Sequence, residues 1–244
     1  MNPTEQAPVA LVTGASRGLG LVLTATLVDR GWHVVVDARD GARLSAAVAG
    51  LSTPSAVTAV CGDVSDPLHR LALADSVTGL GGLDLLVSNA SVLGPSPQPR
   101  LADYPLDALA SVYAVNALAP VALLQLLLPS LRATGGRVVH LSSDAAVEAY
   151  AGWGGYGSAK AALDQLTAVL AAEEPGLKVY AFDPGDMATD LQQQAFPGED
   201  VSDRPDPASV VPSLLRLLEG DLPSGRYRSS ELAAQSEAAL GVTG

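Results

Sequence analysis

Tyr156 and Lys160, in the stretch GGYGSAK, are the pair in this sequence best suited to moving a proton. A phenol ordinarily titrates near ~10, so unaided it is a poor acid or base at neutral pH. Positions i and i+4 share one face of a helix, which sets the ammonium beside the phenol. A neighbouring positive charge favours the phenolate, so the spacing predicts a tyrosine pKa lowered toward neutrality. Taken alone, the pair reads better as an ordinary contact on an amphipathic helix surface.

A second chemical signal lies near the N-terminus. TGASRGLG, residues 13–20, follows the apolar run PVALV and opens the helical segment GLGLVLTATLVDRG. Gly14, Gly18 and Gly20 permit a tight turn and close backbone approach to a pyrophosphate at a helix N-terminus. The segment Gly14, Ser16, Arg17, Gly18, Leu19 and Gly20 is therefore the expected cofactor cradle. The second strand ends in VVVDARD. Asp37 there reads at first as a ribose-binding carboxylate for NAD, but it lies one position early. Arg39 and Arg17 can clamp the 2′-phosphate of NADP instead. NADP is the favoured cofactor and NAD the alternative.

Both signals need a scaffold that brings residues 14 and 156 together. Val-rich runs alternate with longer Ala/Leu-rich segments. Strands are predicted at 8–14, 33–39, 56–64, 83–90, 136–143 and 177–185, and helices at 18–31, 41–50, 66–80, 103–133 and 156–173. Strands without strict alternation, separated by helices, indicate an α/β fold with a parallel sheet covered on both faces. No linker divides the chain. The expectation is one Rossmann-type domain over 8–230, with an N-terminal extension at 1–7 and a tail at 231–244 that carries no strand signal. Residues 94–100 and 195–207 read as loops, and the acidic, proline-containing stretch 190–206 as a possible lid.

Charge narrows the partners. With a formal net charge of −12 over 244 residues, the surface repels nucleic acid and anionic membranes. The N-terminus lacks a basic region ahead of an apolar stretch, and VALLQLLLP is too short and interrupted to span a bilayer. A soluble, cytoplasmic protein is expected. Cys61 is the single cysteine, which excludes an intramolecular disulfide; it is expected to be a small buried hydrophobe. His33, His69 and His140 have no metal-ligand spacing, no metal is expected, and His140 reads as a satisfied core histidine.

Together, TGASRGLG, SNA, Asn116, Ser143 and YGSAK resemble the short-chain dehydrogenase/reductases, over about residues 8–228. The resemblance implies a doubly wound sheet of seven parallel strands and hydride transfer between a nicotinamide and a carbonyl or alcohol. It assigns Ser143, thirteen residues before Tyr156, to the substrate oxygen, leaving Ser142 a structural part. It assigns Asn116 to a water-bearing proton relay with Lys160, and Tyr156 and Lys160 to catalysis and to the cofactor ribose. It places Asp63 on the adenine amino group, Val64 on the adenine ring, and Asn89 and Ala90 along the cofactor. Pro184, Gly185 and Thr189 would shape the nicotinamide end. SNAS departs from the family's NNAG, with Ser88 for the first Asn and Ser91 for Gly.

The expected activity is NADPH-dependent reduction of a small ketone or aldehyde, with Tyr156 as the proton donor. Pocket walls are expected from the loop after Asn89, from 147–155 and from 186–206, with Tyr150 and Trp153 lining an apolar pocket. An acidic carrier-protein partner is disfavoured by the acidic surface. The resemblance also implies a homodimer or homotetramer packed through 103–133 and 156–173. A cofactor-sensing regulator without chemistry, an NAD-dependent alcohol dehydrogenase, and a serine hydrolase using Ser143 and Lys160 are the alternatives; the last lacks a nucleophile elbow.

Overall fold

The computed structural model describes residues 7–241, with side chains through 235 in the last helix. The chain alternates strand and helix: β1 (Val9–Val12), α1 (Gly18–Asp29), β2 (His33–Ala38), α2 (Gly41–Ala49), β3 (Val57–Cys61), α3 (Pro67–Gly79) and β4 (Leu85–Ser88). It continues with α4 (Leu106–Tyr113), α5 (Ala119–Thr134), β5 (Arg137–Leu141), α6 (Gly154–Glu173), β6 (Lys178–Asp183), α7 (Asp190–Ala195), α8 (Val211–Glu219), β7 (Gly225–Arg228) and α9 (Ser229–Gly241). The strands form one sheet in the order β3-β2-β1-β4-β5-β6-β7, every neighbouring pair parallel. This is the doubly wound arrangement, and the order reverses between β1 and β4.

The apolar strand runs divide between two cores because side chains alternate across a strand. Ala10 and Val12 of β1 join Val34, Val36, Leu85 and Val87 on the face covered by α1 and α8. Val9 and Leu11 join Val35, Leu86 and Val138 on the face covered by α3 and α5. Covering both faces is what requires continuous apolar strands.

Several expectations change. Cys61 is exposed: β3 is an edge strand, so its end is not sandwiched as the inner strands are. No element is predicted at α8 or β7, although α8 carries Pro212 in its first turn and an apolar stripe of Leu214, Leu217 and Leu218; residues 190–195, within the stretch read as a lid, form α7 with Thr189 capping it through Gln192 N–H. The domain boundary drawn at 230 falls inside α9, whose Leu232 is fully buried in the first core. Residues 1–6 of the proposed extension and 242–244 of the tail lie outside the described residues.

Helices α4 and α5 run on through a π-turn, Ala114–Leu118, as one helix from Leu106 to Thr134. Pro120 has no N–H for the carbonyl of residue 116, so the ladder must re-register there. By length and composition this helix could cross a membrane, contrary to the reading of VALLQLLLP alone. Its inner face, with Leu123, Leu127 and Leu131, packs in the second core.

Candidate active site

The C-terminal ends of the central strands open onto a cleft of about 1310 Å³ at the switch between β1 and β4. Its volume exceeds the ~300–1,000 Å³ of a typical small-ligand pocket. One wall is the glycine loop. Gly14 has φ +69°, and a Cβ there would stand 2.8 Å from Ala90 Cα; a Cβ on Gly20 would stand 2.5 Å from Asn89 Nδ2. No side chain caps α1, which starts after Arg17. Its first-turn N–H groups are left to an anion at the positive helix end. These features fit a dinucleotide pyrophosphate.

Asn89 and Asp37 hold that loop in place. Asn89 Nδ2 donates to the Thr13 and Gly14 carbonyls at 2.8 and 3.1 Å. Asp37 is buried; it accepts from Gly14 N–H at 2.7 Å and pairs with His69 Nε2 at 3.0 Å. Its carboxylate therefore serves the loop and does not reach for a ribose. Asp63 accepts from the backbone and hydroxyl of Ser65, so its side chain shapes a turn at the cleft edge beside Val64. Burial pushes the Asp63 carboxyl up, but the Ser65 hydrogen bonds with Arg39 and His69 nearby outweigh it and hold its pKa below the usual value.

Beyond the loop stand Arg17, Arg39 and Arg43, all exposed on the cleft wall. Asp190, the first residue of α7, bridges Arg17 and Arg43. Partial burial and the Arg43 and Arg39 charges pull the Arg17 pKa down, as expected where cations cluster.

At the opposite end, Tyr156 and Lys160 line the same cleft from α6, with Pro184 and Thr189 across from them. Tyr156, Lys160 and Asn116 are all buried. Lys160 Nζ donates to the Leu141 carbonyl at 2.6 Å and lies 5.6 Å from the Tyr156 ring centroid. Burial lowers the Lys160 pKa to about 8, against the opposing pull of Asp164. Burial likewise raises Tyr156 to about 12; hydrogen bonds with Ser91 and Ser143 oppose it, and the Asp183 and Asp144 charges add to it. The expected downward shift of Tyr156 is thus overturned, because desolvation outweighs any help from a lysine whose own charge is destabilised.

Asn116 sits in the π-turn and clamps the loop after β4. Its Oδ1 accepts from Val92 N–H at 2.9 Å and Ser91 Oγ at 3.3 Å, while Nδ2 donates to the Val92 carbonyl at 2.8 Å. Ser143 Oγ donates to Asp144 at 2.9 Å and accepts from Ala145 N–H at 3.2 Å. Ser142 is buried and donates to Asp164 Oδ2 at 2.7 Å. Gly185, at φ +75°, turns the chain after β6, its N–H held by Asp183. His140 is buried with Nδ1 on Thr167, but its Nε2 has no partner, so it is only half satisfied. Burial, with the Lys160 charge beside it, lowers its pKa to about 4.

Residues 8–200 match the short chain dehydrogenase family. The chain belongs to that family. It is 32% identical over 239 residues to an uncharacterised oxidoreductase of Saccharomyces cerevisiae, covering 97% of this chain and 90% of the relative. It is 32% identical over 216 residues to benzil reductase ((S)-benzoin forming) of the same yeast, covering 85% and 80%. Among solved structures, a short chain dehydrogenase from Shigella flexneri complexed with NADP aligns with a TM-score of 0.84 at 26% identity, covering 91% and 97%. The protein is an oxidoreductase of a family that uses NAD or NADP.

For this short-chain dehydrogenase, the structure adds residues that motif reading passed over. Arg43 lies three residues after Asp40, whose side chain caps α2; a basic residue in the first turn of the helix after β2 was the available signal. Ser91, a departure from the family pattern in the sequence, donates its hydroxyl to Asn116 and pulls the Tyr156 pKa down against burial. Trp153 stacks edge-on with Tyr150 and Tyr156, at 6.4 and 5.8 Å between ring centroids, and meets Phe196 at 6.0 Å. No pattern in the sequence ties Phe196 to Trp153.

Proposed function

We propose that this protein is an NADP-dependent carbonyl reductase acting on small apolar ketones and aldehydes, aryl ketones foremost, with Tyr156 as the proton donor. The observation that carries this reading is a buried phenol on the helix that also carries Lys160, with both side chains lining the same cleft as the glycine loop. When bound, the nicotinamide supplies the hydride. Ser143 and Ser91 stand where they can hold an oxygen at the phenol, and burial keeps Tyr156 protonated at neutral pH, the state from which it can donate. Lys160, titrating near 8, is mostly charged at pH 7 and favours the phenolate that donation leaves behind.

Preference for NADP is supported by Arg17, Arg39 and Arg43 at the cleft end, and by Asp37 already holding Gly14 and His69. The NADP-complexed neighbour is in keeping with it. The Tyr150–Trp153–Phe196 cluster packs on Tyr156 but is not among the residues lining the cleft; the aryl preference is supported by the likeness to a benzil reductase. Leu118, Leu126, Leu166 and Val169 are exposed on α5, α6 and the turn before α5; we read them as the homo-oligomer interface.

The test is a panel of aryl and alkyl ketones and aldehydes, benzil included, followed by loss of NADPH and NADH absorbance. Faster NADPH consumption with aryl ketones is expected. Equal rates with both nucleotides would remove the cofactor assignment, and no turnover on any member would remove the enzyme reading.

A further inference from the structure

Below the reacting residues, on the side away from the cleft, lies a charged cluster that no motif announces. Arg226 projects from β7, the strand the sequence hides best. Its Nε donates to Asp164 Oδ2 at 2.9 Å, and its Nη2 donates to Asp183 Oδ2 at 3.0 Å and to the Ser143 carbonyl at 2.9 Å. Each partner belongs to a segment that carries a candidate site residue. Asp164 is one helical turn beyond Lys160 on α6. Asp183 ends β6, and its other oxygen takes the Gly185 N–H. Ser143 follows β5. A single planar fork thus joins the ends of β5, β6, β7 and the Tyr156–Lys160 face of α6.

We propose that Arg226 is a positioning residue of the active site: its guanidinium fixes the Ser143 backbone and offsets the Asp164 and Asp183 carboxylates that flank Lys160 and Tyr156. The inference rests on the reading of Ser143, Tyr156 and Lys160 as the reacting set. Asp164 Oδ2 is shared by Arg226 and Ser142, while its Oδ1 is buried without a partner. That carboxylate is only partly compensated, and it pulls Lys160 toward its charged form. Asp183, with Arg226 and Arg228 upon it, raises the Tyr156 phenol. The groups that act on Lys160 and Tyr156 are Asp164 on α6, Asp183 on β6, Asp144 and Ser143 after β5 and Ser91 after β4, with His140 of β5 beside Lys160; Arg226 on β7 reaches them through Asp164 and Asp183, and Arg228 through Asp183. Arg226 touches both Asp164 and Asp183, whereas Arg228 touches only the second of the two.

The chain has only two lysines, Lys160 and Lys178, so carbon-13 labelling at lysine Cε yields two NMR titrations, assigned with Lys178→Arg. No substrate or nicotinamide is needed, so the outcome is independent of whether any ketone is turned over. In Arg226→Met the Lys160 midpoint is expected to rise by about one unit or more, and in Asp164→Asn to fall by a similar amount, as for a nearby charge gained or lost. Arg226→Lys should restore the midpoint. If Arg226→Met does not fold, Asp164→Asn, nearly isosteric, and Arg226→Lys decide the matter. A Lys160 midpoint unchanged in Asp164→Asn, or displaced in Arg226→Lys as far as in Arg226→Met, overturns the proposal.

Discussion

At one end of the cleft the cations Arg17, Arg39 and Arg43 stand in solvent, while at the other Lys160, Tyr156 and Asn116 are buried. The contrast follows from where each end sits. The arginines lie on loop and helix starts beyond the strand tips, where water screens their charges. Lys160 and Tyr156 lie on a helix packed against β5 and β6, where removal from water dominates every other influence on their protons. Exposed charges can select a ligand cheaply and reversibly. Buried ones can do proton chemistry, and they burden the fold.

Replacing Tyr156 with Phe strikes the buried end hardest. Only the hydroxyl is removed, the ring keeps its packing against Trp153, and a burdened polar group leaves the interior. Turnover in the ketone assay should fall by about 10²–10⁴-fold, the usual worth of a positioned acid, while NADPH binding by fluorescence and the melting temperature stay near wild type. A loss of activity matched by a loss of NADPH binding would mean that the phenol serves the cofactor instead.

The two ends were also unequally legible in the sequence. The glycine loop and the Tyr156/Lys160 pair could be read because backbone geometry alone sets what their spacing means. The inner strands could be read because a sheet covered on both faces needs unbroken apolar runs. What burial does to a pKa could not be read, since it depends on residues distant in sequence; hence the wrong direction for Tyr156. Cys61 was misplaced because nothing local marks β3 as an edge. β7 escaped notice because GRYR has two arginines in four residues, and their partners, Asp164, Asp183 and Glu148, lie far along the chain.

The burden on the buried end should be visible as pH-dependent stability. His140, at about 4, and Lys160, at about 8, both lie below their ordinary values of 6.5 and 10.5. Between about pH 4 and 6.5 the unfolded chain holds a proton on His140 that the folded chain has released, and between about 8 and 10.5 the same holds for Lys160. Stability contributed by each therefore rises with pH across its window and is lost as pH falls through it. Each shift corresponds to on the order of 3 kcal/mol. Urea midpoints for His140→Gln should fall less than wild type as the pH drops from 6.5 to 4, and those for Lys160→Met should lose the relative rise from 8 to 10.5. Parallel pH profiles for wild type and variant would show that water reaches these groups.

The exposed end should give smaller effects of a different kind. Arg17, Arg39 and Arg43 are half in water, and Asp190 already bridges two of them, so any one guanidinium contributes about 1 kcal/mol to a bound phosphate. Replacing Arg39 or Arg43 with Ala should weaken NADPH by about five- to tenfold and leave NADH unchanged, measured by quenching of intrinsic fluorescence. The deficit should shrink as ionic strength rises from about 0.05 to 0.5 M, because screening acts on exposed charges and spares buried ones. Asp190→Asn should move the other way: it frees Arg17 and Arg43 and tightens NADPH relative to NADH. If these arginine variants weakened both nucleotides equally, the cluster would be acting on the shared pyrophosphate, and the basis for preferring NADP would fall with it.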